Sequence, residues 1–137
     1  MVLADCTVQG ATPSGWARAA ISAMEQYGAD RLVVETNQGG LMVGEVLRQI
    51  DPLVPLKSVH ASRGKVARAE PVAALYEQGR VGHAAGLDAL EDQMCRMTAR
   101  GYEGSGSPDR VDALVWALHE LMIEPAASWR SPGVRLL

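Results

Sequence analysis

The stretch Arg31-Leu32-Val33-Val34-Glu35-Thr36-Asn37-Gln38-Gly39-Gly40 leaves the chain few ways to fold. Leu32, Val33 and Val34 form a short apolar run of the kind buried on both faces of a parallel sheet. The run ends in an acid, and an amide pair and two glycines come next. The glycines permit a sharp turn with positive φ. Helical spacing of apolar residues begins straight after them. A carboxylate therefore sits at the carboxyl end of a strand, where open α/β sheets place their ligands.

A second acidic site lies far along the chain, in Ser107-Pro108-Asp109-Arg110-Val111-Asp112-Ala113, which opens the last helix. Asp109 and Asp112 are three apart and project from similar sides of its first turn. Acids on two separate elements suggest a divalent metal and phosphodiester chemistry. The alternative is a surface glutamate at a strand end and a helix start whose acids complement the dipole.

The rest of the pattern is α/β. Val2 to Val8 alternates loosely and reads as a strand. Thr12 followed by Pro13 predicts an N-cap with Pro at the first helical position, and a helix from Pro13 to Tyr27 that Gly28 ends. Trp16, Ala20, Met24 and Tyr27 should face the sheet; a stacking role for Trp16 is the functional alternative. A helix over Leu41 to Ile50 buries Leu41, Val43, Val46, Leu47 and Ile50. Strand-like Leu56 to His60 then completes a βαβ unit with parallel pairing and a right-handed crossover.

Arg63, Lys65 and Arg68 fall in a segment with little apolar content. Two readings are open: a solvated loop or first helical turn, or contact with a phosphate backbone. A helix is expected from Val72 to Gln78, then a turn through Gly79-Arg80-Val81-Gly82-His83. His83 reads as structural, with a ligand role as the alternative. A further helix spans Leu87 to Met97, with its methionines as core filler. The Gly- and Ser-rich stretch from Thr98 to Ser107 reads as a loop, or as a lid over the second acidic site. The last helix runs from Pro108 to Met122 with Val111, Leu114, Val115, Leu118, Leu121 and Met122 inward.

Composition removes some alternatives. At 137 residues one domain is expected. Phe is absent, so the core is aliphatic. A net charge of −3 argues against a dedicated nucleic-acid-binding module but not against a nuclease, whose acidic site offsets a basic groove. The two cysteines, Cys6 and Cys95, have no CxxC partner and read as reduced cytosolic thiols rather than a disulfide. No run reaches membrane-spanning length and no signal peptide is visible. The pattern GxxxxGK[ST], zinc-ligand spacing and GxSxG are all absent.

Glu35-Thr36-Asn37-Gln38-Gly39-Gly40, the Lys65 to Pro71 segment with Glu77-Gln78-Gly79-Arg80-Val81 and His83, and Pro108-Asp109-Arg110-Val111-Asp112-Ala113-Leu114 together resemble one family. It is the C-terminal nuclease domain of the large terminase subunit of tailed bacteriophages and related prophages or gene transfer agents. The resemblance runs from Val2 to about Leu121.

The resemblance implies an α/β, RNase H-like (RuvC-like) fold that cleaves concatemeric double-stranded DNA during packaging. It implies three acids around Mg²⁺ or Mn²⁺. Glu35 matches one, Asp112 is favoured for another with Asp109 beside it, and Lys65, Arg68 and Arg63 would hold DNA. The portal or procapsid and the small terminase are the implied partners, with no membrane, in the cytoplasm of a bacterial host cell.

The family's first strand, which carries the first catalytic aspartate, has no counterpart here. Asp5 could be mistaken for that residue, but the residues after it match the passage from the third strand into a helix. The expectation is an N-terminally truncated nuclease domain over residues 1–123 with an extended tail over 124–137. The missing strand would leave an unpaired edge on the Glu35 strand and invite a homodimer. The alternative function is an incomplete nuclease remnant that binds DNA or a packaging partner.

Overall fold

The structure, a computed structural model, describes residues 1–36 and 40–124. Asn37, Gln38 and Gly39, and the expected tail beyond Glu124, lie outside the described residues.

Residues 12–59 agree closely with their sequence pattern. Helix α1 spans Pro13–Tyr27. Thr12 caps it, its hydroxyl accepting from the Gly15 amide at 3.2 Å. Gly28 closes it at φ +61°, a backbone state that favours glycine. Strand β1 is Leu32–Glu35, helix α2 is Gly40–Ile50, and strand β2 is Leu56–Val59. The two strands pair in parallel, with Leu32 opposite Leu56 and Glu35 opposite Val59. Ala17, Ile21, Leu47 and Val54 form their buried core, with Trp16, Ala20 and Met24 packed against it. Trp16 therefore belongs to the core rather than to a stacking surface. Tyr27, expected to face the sheet, is instead 41% exposed at the helix end.

The N-terminal residues and the second half depart from expectation at several points. Val2–Val8 is not a strand. Val2 alone makes a bridge, to His83. The Asp5 carboxylate takes the Thr7 amide at 3.0 Å, and that local turn ends any extended run. Helix α3 spans Lys65–Glu77 and so begins seven residues before Val72, with Pro71 inside it. Proline lacks an N–H and commonly marks a helix boundary, but one lost backbone bond is outweighed here by burial of Val72 and Leu75. Helix α4 is only Asp88–Cys95. Met97 leaves it to begin an antiparallel hairpin, Met97–Thr98 (β3) with Gly101–Tyr102 (β4), in the stretch expected to be a loop.

Helix α5 spans Asp109–Leu118 and runs into a π-helical turn, His119–Ile123. The wider turn shifts the periodicity, so Leu121 points out at 72% exposure while Leu118 stays buried. A second core of Val72, Leu90, Val111, Leu114, Val115 and Leu118 joins α3, α4 and α5. Among the described residues no helix is long and apolar enough to cross a membrane. Cys6 and Cys95 are both free and exposed.

Candidate functional site

Glu35 is fixed by the end of β1. Pairing continues one residue past the strand, where the Thr36 amide and hydroxyl both donate to the Val59 carbonyl, at 2.7 and 3.0 Å. The Thr36 carbonyl meets His60 Nδ1 at 2.7 Å. These bonds hold the strand end straight where the carboxylate projects.

Asp112 is fixed by the first turn of α5. Gln93 of α4 reaches across to accept from the Val111 amide at 3.1 Å, which satisfies one of the unpaired donors of the helix start. No side chain of the helix itself caps this end. Asp112 is therefore not a cap. Its carboxylate binds Lys65 Nζ at 2.5 Å, and the same ammonium reaches Ser107 Oγ at 3.1 Å. Asp109 is exposed one turn earlier and is not drawn into this arrangement.

The two acids meet across Arg68. Its Nη2 lies 3.9 Å from Glu35 Oε1 and 3.7 Å from Asp112 Oδ1. Arg68 is 7% exposed, the one buried charged side chain among the described residues. It occupies the core stripe of α3, four residues before Val72 and seven before Leu75, so its burial follows from helical spacing. The guanidinium carbon stands 4.8 Å over the Trp116 ring, and Nη1 donates to the Arg63 carbonyl at 2.6 Å. His119 Nε2 meets the Arg68 carbonyl at 2.8 Å and ties α3 to the end of α5. Arg68 Nε and Trp116 Nε1 are both buried without a hydrogen-bond partner.

The structure thus brings Glu35, Asp112, Lys65 and Arg68 together, and leaves Asp109 and Arg63 exposed at its edge. Arg68 stands inside the site, not on a surface where a backbone would pass. Sequence reasoning missed Trp116 and His119. Their signal was present: Asp112, Trp116 and His119 recur at intervals of four and three, a polar stripe beside the apolar one.

Asp5 takes no part. It pairs with Arg110 Nε at 2.6 Å. Burial works to raise its carboxyl, but bonds from the Thr7 side chain and amide and from Arg110 outweigh this and hold it below its ordinary value. His83 has the structural role. Its Nε2 meets the Tyr76 hydroxyl at 2.6 Å and its Nδ1 meets Glu91 at 2.8 Å, which joins α3 to α4. Burial, and then the charge of Glu91, push the Tyr76 hydroxyl upward and keep it a donor.

The α/β order, the two converging acids and the basic start of α3 meet at one end of the β1–β2 pair. Sequence comparison gives the class directly. A family profile described as the Terminase RNaseH-like domain matches residues 1–121, and the chain belongs to that family. Neither comparison with curated proteins nor comparison with solved structures gave a match.

Family members of this fold use divalent metal, so the donor set needs a test. Glu35 and Asp112 offer hard carboxylate oxygens and already face a positive charge. Two carboxylates with water completing the shell fit one Mg²⁺ or Mn²⁺ ion. Among the described residues no three Asp, Glu, His or Cys side chains gather into one cluster.

Proposed function

We infer that this chain is the DNA-cleaving domain of a packaging terminase, a metal-dependent endonuclease acting on concatemeric double-stranded DNA. The observation that supports it is the convergence of Glu35 and Asp112, from a strand end and a distant helix start, on one buried cation. A bound Mg²⁺ or Mn²⁺ would activate water and stabilise the leaving 3′ oxygen. Glu35 and Asp112 would hold it. Asp109, exposed one turn earlier, would orient water at the rim. Arg63 and Lys65 would take the DNA backbone at the start of α3, with Lys65 also steering Asp112.

The finer fold reading is an RNase H-like domain in which the Glu35 strand offers one edge for further pairing. The two-stranded β1–β2 sheet supports it. An apolar groove of about 570 Å³ lies beside Leu32, between α1, α5 and the N-terminal residues. It suits an added strand, and a homodimer formed there accords with the exposed Leu3, Tyr27 and Leu121 on its walls. The portal or procapsid and the small terminase are the proposed packaging partners, in the host cytoplasm.

The absence of a third clustered acid among the described residues favours one second reading, an incomplete nuclease that binds DNA without cutting it. Nicking of supercoiled plasmid with Mn²⁺ or Mg²⁺ decides between them. Cleavage by the parent and not by Glu35→Ala supports the nuclease. A folded parent that binds plasmid and never nicks it overturns that reading in favour of the second.

A further inference from the structure

Arg68 presents a problem of physical chemistry. A guanidinium is buried to 7% exposure, yet it makes one short hydrogen bond, to the Arg63 carbonyl. Its Nε has no partner. Its contacts to Glu35 and Asp112, at 3.9 and 3.7 Å, exceed hydrogen-bond length. A bidentate arginine–carboxylate pair would place two parallel bonds near about 2.8 Å. This one is held by charge and by the Trp116 face instead. Such a cation lies between two partly buried acids, of which Asp112 also pairs with Lys65, and loses little directional bonding if it moves.

We propose that Arg68 is a resident counter-ion. It keeps Glu35 and Asp112 assembled without a divalent ion, and the ion enters by displacing the guanidinium from between them. This rests on the reading that these two acids hold the ion. Displacement has a mechanical route. The stem is anchored in α3, and Nη1 already reaches toward Arg63, at the exposed loop before the helix. Movement in that direction would take the guanidinium off the Trp116 ring. Trp116 becomes a reporter of ion entry.

The first experiment is Mg²⁺ titration by calorimetry of the parent, Arg68→Met, Arg68→Lys and Glu35→Gln. Methionine keeps an unbranched apolar stem over Trp116 and removes the charge. Arg68→Met should bind Mg²⁺ about tenfold more tightly than the parent, because the ion no longer competes with a fixed positive charge. Its melting temperature should fall without Mg²⁺ and recover with it. Arg68→Lys, which keeps the charge, should bind as the parent does.

The second experiment needs no variant at Arg68 and covers the case where Arg68→Met does not fold. Mg²⁺ should change the tryptophan fluorescence of the parent, and Trp116→Phe should lose that change while Trp16 still emits.

Unchanged or weaker binding in folded Arg68→Met overturns the counter-ion role. So does a silent Trp116 in a parent that binds Mg²⁺. Glu35→Gln separates the two layers. If it leaves Mg²⁺ binding intact, the proposed metal site itself is wrong, and the counter-ion role falls with it. If it abolishes binding while Arg68→Met gains nothing, only the counter-ion role falls.

Discussion

Arg110 donates to Asp5 at 2.6 Å, whereas Arg68 stands 3.9 and 3.7 Å from the two acids it serves. The tight pair is partly open to solvent, with side chains 23% and 17% exposed. The loose one centres on an arginine side chain only 8% exposed. A structural tie would be expected to show the reverse, with the deepest charge bonded best, because burial makes an imperfect partner costly. Arg110 pins the N-terminal segment to α5. Arg68 leaves bonding capacity unused beside two carboxylates that the fold has brought from opposite ends of the chain. Incomplete satisfaction of a buried charge, more than proximity of acids, is what supports the proposal that the second region holds the metal.

The comparison breaks most sharply at the acids. Asp112→Asn should lower metal-dependent nicking by about 100-fold or more, since it removes a proposed ligand carboxylate. It should leave the chain folded with a lowered melting temperature, because Asp112 caps nothing but pairs with Lys65 and the buried Arg68. Plasmid nicking beside a circular dichroism melt checks both halves. An unfolded Asp112→Asn would make this acid as structural as Asp5.

Asp5→Asn should do the opposite. It removes a charge-assisted bond at a half-buried position and should cost about 1–2 kcal/mol of stability, read from urea midpoints. Mg²⁺ binding should stay as in the parent. Loss of metal binding in a folded Asp5→Asn would show that the two regions form one site.

How far these two regions could be read from sequence differs for a physical reason. In the first half the code is apolar spacing with clear caps: Thr12, Pro13 and Gly28 bound α1, and Leu32 to Val34 announce β1. Glu35 and Asp112 were legible as candidates because acids at element ends stand out. Arg68 was legible only as a charge, which placed it on a surface. Its burial depends on α3 starting at Lys65, and Pro71 hid that start. Trp116 and His119 were hidden because a polar stripe becomes meaningful only when its packing partner is known. Asp5 was hidden by its neighbours, since alternation over Val2 to Val8 resembles a strand until the Asp5–Thr7 turn is seen.

The pH dependence sharpens the contrast further. The Asp5 carboxyl is held below its ordinary value near 3.8 in the folded chain. A group with a depressed folded pKa stabilises the fold above its unfolded value and loses that contribution as pH falls through the folded one. The stability gap between the parent and Asp5→Asn should therefore be constant from neutral pH down to about 4, then shrink below it. Urea midpoints at about pH 7 and about pH 3 test this. A gap that persists undiminished well below the folded value would mean that the pair stabilises through packing and not through charge.

The smallest effect concerns Arg63, which is exposed and contributes to the cation site only through its carbonyl. Arg63→Gln leaves that carbonyl in place and removes one surface charge. It should weaken DNA binding a few-fold and reduce the slope of log affinity against log salt by about one. Mg²⁺ affinity should not change. Filter binding across a salt series measures the slope directly. If Arg63→Gln instead alters Mg²⁺ affinity and leaves the slope alone, its side chain acts on the position of Arg68. The boundary between the DNA-holding edge and the buried counter-ion would then have to be drawn one residue layer further out.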